Sequence, residues 1–164
     1  MGALPAGEGA PAFSLKNVDG SQVSLAETLT KGPVLAAFFK VNCPTCQFAF
    51  PFLERLYETY KDSKFTLLGI SQNDATDTRE FCKEFGIKFP ILVDGHGYPA
   101  SNDYGLTNVP TLFLISPEGK IQFTSVGFVK ADLEKLAAVA ARAAGRSAAP
   151  LFKPGEVIPE SKPG

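Results

Sequence analysis

Cys43 and Cys46 are separated only by Pro44 and Thr45, and they follow closely on the apolar run Val34–Phe39. Two thiols at this spacing suit a pair that opens and closes as a disulfide. A helical pattern begins at Pro44, which gives the position its chemistry. A helix start presents unpaired backbone N–H groups and a partial positive charge. A cysteine there ionises more readily, and the thiolate is the nucleophile. Cys43 therefore reads as the attacking thiol. Cys46, one turn later, reads as the resolving thiol that closes the disulfide. The competing chemistry is a metal knuckle. A structural zinc takes four ligands, and Cys82 and His96 are the sole further soft candidates, neither in a paired arrangement. The redox reading is preferred, with no metal and no cofactor beyond the disulfide itself. Cys82, beside Phe81, reads as a small half-buried hydrophobe. His96, between Gly95 and Gly97, reads as a surface turn residue.

The elements around the pair must place it. Val34–Phe39 has no polar alternation, as in a strand buried on both faces of a sheet covered by helices. Its carboxyl end delivers Cys43, and ligand sites of open α/β sheets gather at such ends. Pro44 suits a first helical turn. Phe48, Phe52 and Leu56 then recur every four residues to about Asp62, with Pro51 interrupting one internal hydrogen bond. Upstream, Phe13–Leu15 and Val23–Leu25 alternate about Asp19-Gly20 as a hairpin, and Ser24-Leu25-Ala26-Glu27 has capping-box spacing for a brief helix. Downstream come a second buried strand over 65–70, a helix capped by Asp74 or Thr76 and stopped at Gly86, and a short strand over 89–93. A helical turn over 100–104 follows, then a hairpin through Ser116-Pro117-Glu118-Gly119 and a last helix over 131–144. The early strand–helix–strand unit requires a parallel pair and the late hairpin an antiparallel one. The expected fold is α/β, a mixed central sheet with helices on both faces and an N-terminal β-hairpin extension. Residues 1–9 are expected to be loose, 10–145 to form the domain, and 146–164 to be a proline-rich tail with no core role.

Composition narrows the classes. The chain has 164 residues, with 16 Lys+Arg against 17 Asp+Glu. That balance gives no reason to expect nucleic acid or an anionic membrane surface. No apolar run approaches the roughly 20 residues that span a bilayer, and the first residues lack the pattern of a signal peptide. A cytoplasmic monomer is the expectation from the sequence as written, with an exported form whose leader has been removed as the alternative.

Ala10-Pro11-Ala12-Phe13-Ser14-Leu15, the Val34–Phe39 strand, Cys43-Pro44-Thr45-Cys46, Phe50-Pro51 and Val109-Pro110-Thr111 together resemble the thioredoxin-like redoxins. The pattern is most similar to the TlpA-like thiol–disulfide oxidoreductases and the neighbouring alkyl hydroperoxide reductase/thiol-specific antioxidant group, over residues 10–144. The resemblance implies a thioredoxin-like fold. It also implies that Val109–Pro110 is cis and sits against the disulfide, with the backbone of Val109 pairing with an extended substrate segment. Pro44, Thr45, Val109 and Pro110 are then the active-site loops around catalytic Cys43 and Cys46. The implied activity is thiol–disulfide exchange with protein thiols and disulfides, served by an upstream protein reductant or oxidant.

The chain departs from that pattern in places. Thioredoxins proper carry a buried acid six positions before the first cysteine, where this chain has Ala37, and Trp immediately before it, where this chain has Asn42. The TlpA-like Glu three residues after the second cysteine is Ala49 here. Water, Lys40 or a residue distant in sequence then has to serve the Cys46 proton. The alternatives to disulfide exchange are a peroxiredoxin-like thiol peroxidase and a non-catalytic binding module on the same scaffold. Peroxiredoxins place Thr or Ser three residues before the reactive cysteine and Pro four residues earlier; Lys40 and Ala36 stand there instead.

Overall fold

The computed structural model describes residues 2–164. Strands β1 (Ser14–Asn17) and β2 (Gln22–Ser24) form the first hairpin, and the short helix α1 (Leu25–Leu29) follows. Ser24 Oγ accepts the Glu27 N–H at 3.1 Å, which caps α1 as the spacing predicts. The strand β3 (Val34–Phe39) leads into helix α2 (Pro44–Tyr60), and strand β4 (Thr66–Ser71) into helix α3 (Ala75–Phe85). Asp74 caps the start of α3, and Gly86 ends it in the left-handed region at φ 68°. Then come β5 (Ile91–Val93), α4 (Pro99–Asp103), the hairpin β6 (Thr111–Ile115) and β7 (Ile121–Val126), the two-residue β8 (Phe128–Val129), and α5 (Lys130–Ala143).

The seven long strands form one mixed sheet in the order β2-β1-β5-β4-β3-β6-β7. All six residues of β3 are buried. The strand pairs parallel with β4 on one side and antiparallel with β6 on the other, so an uninterrupted apolar run ends up central. Its odd and even residues serve opposite faces. Leu35, Ala37 and Phe39 pack into the core formed with α2, Phe81 of α3 and α5. Val34, Ala36 and Phe38 pack with Leu25, Leu29, Ala100 and Tyr104 on the other face. The expected α/β fold of thioredoxin type, with its mixed sheet and N-terminal hairpin, is the fold observed.

Both ends of the chain differ from expectation. Leu4 N–H donates to the Tyr104 carbonyl at 3.1 Å, Gly7 N–H to Ile121 at 2.8 Å, and Ile121 N–H to Glu8 at 2.8 Å. These backbone bonds tie Leu4 to the end of α4, and Gly7 and Glu8 to the edge strand β7, in place of leaving them loose. The segment 146–164 does have a core role. Leu151 is buried, and Phe152 packs on Phe52 with ring centroids 5.0 Å apart. Arg55 holds Glu156 through paired contacts of 2.8 and 2.6 Å. Ser161–Lys162 forms a final strand, β9, antiparallel to β8.

Candidate functional site

Central β3 ends at Phe39, and the chain turns to reach α2. Two amides brace that turn. Asn73 Oδ1 accepts the Val41 N–H at 3.0 Å, and Gln47 Nε2 donates to the Val41 carbonyl at 3.0 Å. Cys43 is thereby delivered as the N-cap of α2, in extended backbone, with Pro44 in the first turn. Its sulfur accepts the Cys46 N–H at 3.2 Å, a donor that a thiolate would also use. No acidic side chain lies in the first turn of α2 to offset the positive helix end.

The opposite wall comes from the loop before β6. The Val109–Pro110 peptide bond is cis. Thr111 Oγ1 donates to the Asn108 carbonyl at 2.7 Å, and Gly127 N–H donates to the Pro110 carbonyl at 2.8 Å, so the loop is fixed from both sides. The Val109 carbonyl faces the pair and accepts from Cys43 Sγ at 3.5 Å. The two thiols have different surroundings. Cys43 is partly exposed and Cys46 fully buried. Burial, with the Cys43 sulfur adding to it, pushes the Cys46 thiol far above its ordinary range.

The AhpC/TSA family profile matches residues 6–124 of the chain. The chain belongs to the AhpC/TSA family. Among relatives, the thiol–disulfide oxidoreductase ResA of Halalkalibacterium halodurans is 33% identical over 71% of this chain and 65% of its own length. The chain therefore spans a little less than two thirds of that relative's length. The thioredoxin-like protein YneN of Bacillus subtilis is 32% identical over 79% of this chain and 76% of its own. Among solved structures, a thiol:disulfide interchange protein of the thioredoxin family from Chlorobium tepidum is 29% identical with a TM-score of 0.69, covering 85% of this chain and 99% of that one.

Within this AhpC/TSA chain, the fold brings Cys43, Pro44, Thr45, Cys46, Val109 and Pro110 to one end of the sheet. Cys82 and His96 lie elsewhere. Cys82 is half-buried on α3, where burial and then the charge of Glu54 push its thiol up to about 11. His96 is exposed, in a hollow with Gln72, Asp74 and Tyr98. Among the described residues, no group of three or more His, Cys, Asp or Glu comes together, so neither residue completes a ligand set with the pair. Lys40 is exposed and lines a groove with Gln72, Tyr98, Asn108 and Val109.

Sequence reasoning placed Asn108 in the loop Asn108-Val109-Pro110-Thr111, and missed Asn73, Gln47 and the segment 161–164. Asn73 and Gln47 each act through a single side-chain hydrogen bond to the Val41 backbone, which leaves no pattern in a sequence. The tail did carry a signal. Leu151, Phe152 and Ile158 are apolar punctuation among prolines, and all three pack on the main core.

Proposed function

We propose that this AhpC/TSA chain is a thiol–disulfide oxidoreductase acting on protein thiols and disulfides, with Cys43 as nucleophile and Cys46 as resolving thiol. The observation that carries the reading is the asymmetry of the pair. One sulfur is reachable, capped by an N–H at a helix start and faced by the cis-proline loop. The other is fully buried one turn along. The named relatives of this family add the activity class.

In the reducing direction, the Cys43 thiolate attacks one sulfur of a substrate disulfide. A Cys43–substrate S–S bond forms, the substrate S–S bond breaks, and a substrate thiolate leaves and takes a proton from water. Cys46 then attacks the Cys43 sulfur. The Cys43–Cys46 bond forms, the mixed disulfide breaks, and the Cys46 proton ends on the departing substrate sulfur. Two electrons have passed from the protein dithiol to the substrate. The reverse sequence oxidises a substrate dithiol. Burial keeps Cys46 as the thiol until the mixed disulfide brings a leaving group against it. Pro44, Thr45, Val109 and Pro110 shape the surface on which the substrate segment lies. An upstream protein donor or acceptor restores the pair.

The test is reduction of insulin disulfides with a small dithiol as donor. Turnover by the chain, abolished in Cys43→Ser, supports the assignment. Full activity in Cys43→Ser overturns it. Peroxide-dependent thiol consumption far above that of free cysteine would instead favour the peroxidase.

A further inference from the structure

The face of the redox site is partly covered by the chain's own residues 161–164. Strand β9 pairs with β8 in the register Phe128 with Lys162 and Val129 with Ser161. From there the segment crosses Gly127, where an added methyl would meet the Lys162 carbonyl at 2.7 Å. It then passes between the two active-site loops. Thr45 Oγ1, on the first turn of α2, donates to the Pro163 carbonyl at 2.6 Å. Gly164 lies against the cis-proline loop, where a methyl on it would come within 2.5 Å of the Val109 carbonyl oxygen. Asn108 Nδ2 points at the Gly164 carbonyl from 3.5 Å. That Val109 oxygen is also the one that faces Cys43 Sγ. Lys162 Nζ sits 5.1 Å above the ring of Phe48.

These contacts have the character of a bound peptide: an extended backbone added to a short strand edge, carbonyls met by side-chain donors, and one cation over an aromatic face. The anchoring is uneven along the tail. Residues 151–160 are held by the buried Leu151, by the Arg55–Glu156 pair and by Lys130 N–H on the Glu160 carbonyl at 2.9 Å. Among residues 161–164 no side chain is buried. Residues 161–164 can therefore leave the strip while residues 151–160 stay docked.

We infer that the β8 edge, Phe48, Thr45 and the Asn108–Val109 loop form a docking strip for an extended peptide segment carrying a basic side chain, which residues 161–164 fill until a substrate displaces them. The inference rests on the oxidoreductase reading for the identity of that segment as substrate. A self-ligand lowers the apparent affinity of an incoming segment by the fraction of time the strip is free. A small disulfide needs only the partly exposed Cys43 sulfur and does not compete for the strip.

The test uses a variant of this 164-residue chain in which residues 159–164 are replaced by a Gly–Ser sequence of equal length, retaining Leu151 and Glu156. The probe is a fluorescent Ile-Pro-Glu-Ser-Lys-Pro-Gly peptide, blocked at both ends and read by anisotropy. The expected result is binding roughly tenfold tighter to the variant than to the unaltered chain, weakened roughly threefold or more when the peptide lysine is exchanged for glutamate. Equal binding to both proteins, or indifference to that exchange, overturns the inference. Kinetics give a second readout. The variant should show a lower KM for insulin, with turnover of bis(2-hydroxyethyl) disulfide unchanged, and unchanged insulin kinetics would count against the strip. The single substitution Lys162→Ala should move both readouts in the same direction by a smaller factor. If neither protein turns over either disulfide, the oxidoreductase reading fails, and peptide binding still decides whether the strip exists.

Discussion

Cys43 and Val109 lie 66 positions apart in sequence, yet the Cys43 sulfur donates to the Val109 carbonyl at 3.5 Å. The contact joins the start of α2 to the cis-proline loop. It places the partly exposed thiol against the backbone that the proposed function assigns to the substrate.

The division of labour proposed for the two thiols predicts different outcomes for the two serine variants. Cys43→Ser should lose insulin reduction altogether. Cys46→Ser should keep the first step and stop there, accumulating a covalent adduct with substrate that is visible by intact mass and released by excess dithiol. A Cys46→Ser protein that turns over normally would remove Cys46 from the mechanism.

Phe39 is the last residue of β3 and is fully buried. Its ring lies 4.3 Å from that of Phe50 on α2 and 5.0 Å from that of Phe81 on α3. Phe39→Ala should cost about 3–5 kcal/mol of unfolding free energy, from lost burial plus the cavity left behind. Urea unfolding measures it. A loss below about 1 kcal/mol would mean that the core under the site collapses around the gap.

Gly69 stands in β4 beside β5. A methyl there would clash with Ile91 Cδ1 and come within 3.2 Å of Phe89 Cε1. Gly69→Ala should therefore destabilise through overpacking, by about 1–3 kcal/mol, with disulfide exchange retained in the folded fraction. Equal or higher stability in the same urea titration would show that Ile91 finds another rotamer at no cost.

Cys82 makes stability depend on alkaline pH. Its folded value of about 11 lies above the ordinary 9.0 because burial disfavours the thiolate. Once pH passes the unfolded thiol's value, the unfolded chain releases a proton that the native chain keeps. The stabilising difference is thus complete below the unfolded value and lost as pH rises toward the folded one. Relative to Cys82→Ala, the unaltered reduced chain should lose stability between pH 9 and about 11, at up to about 1.4 kcal/mol per pH unit. Parallel pH profiles for the two proteins would contradict this.

The sequence by itself determined the elements and the chemistry they carry. An unbroken apolar run such as Val34–Phe39 has to be central, because either exposed face would leave apolar side chains in water. A cysteine placed just before Pro44 and an amphipathic helix has to cap that helix. Both follow from local periodicity and backbone chemistry, which read along the chain. The tertiary structure alone decided which thiol is reachable, that Asn73 and Gln47 hold the turn before Cys43, and that residues 161–164 return to the face of the site. Burial depends on what packs above a residue from distant parts of the chain, and a hydrogen bond such as Thr45 to Pro163 joins residues 118 positions apart. Ser161-Lys162-Pro163-Gly164 has no strand pattern of its own. Its first two residues, Ser161 and Lys162, become a strand because the β8 edge offers them backbone partners.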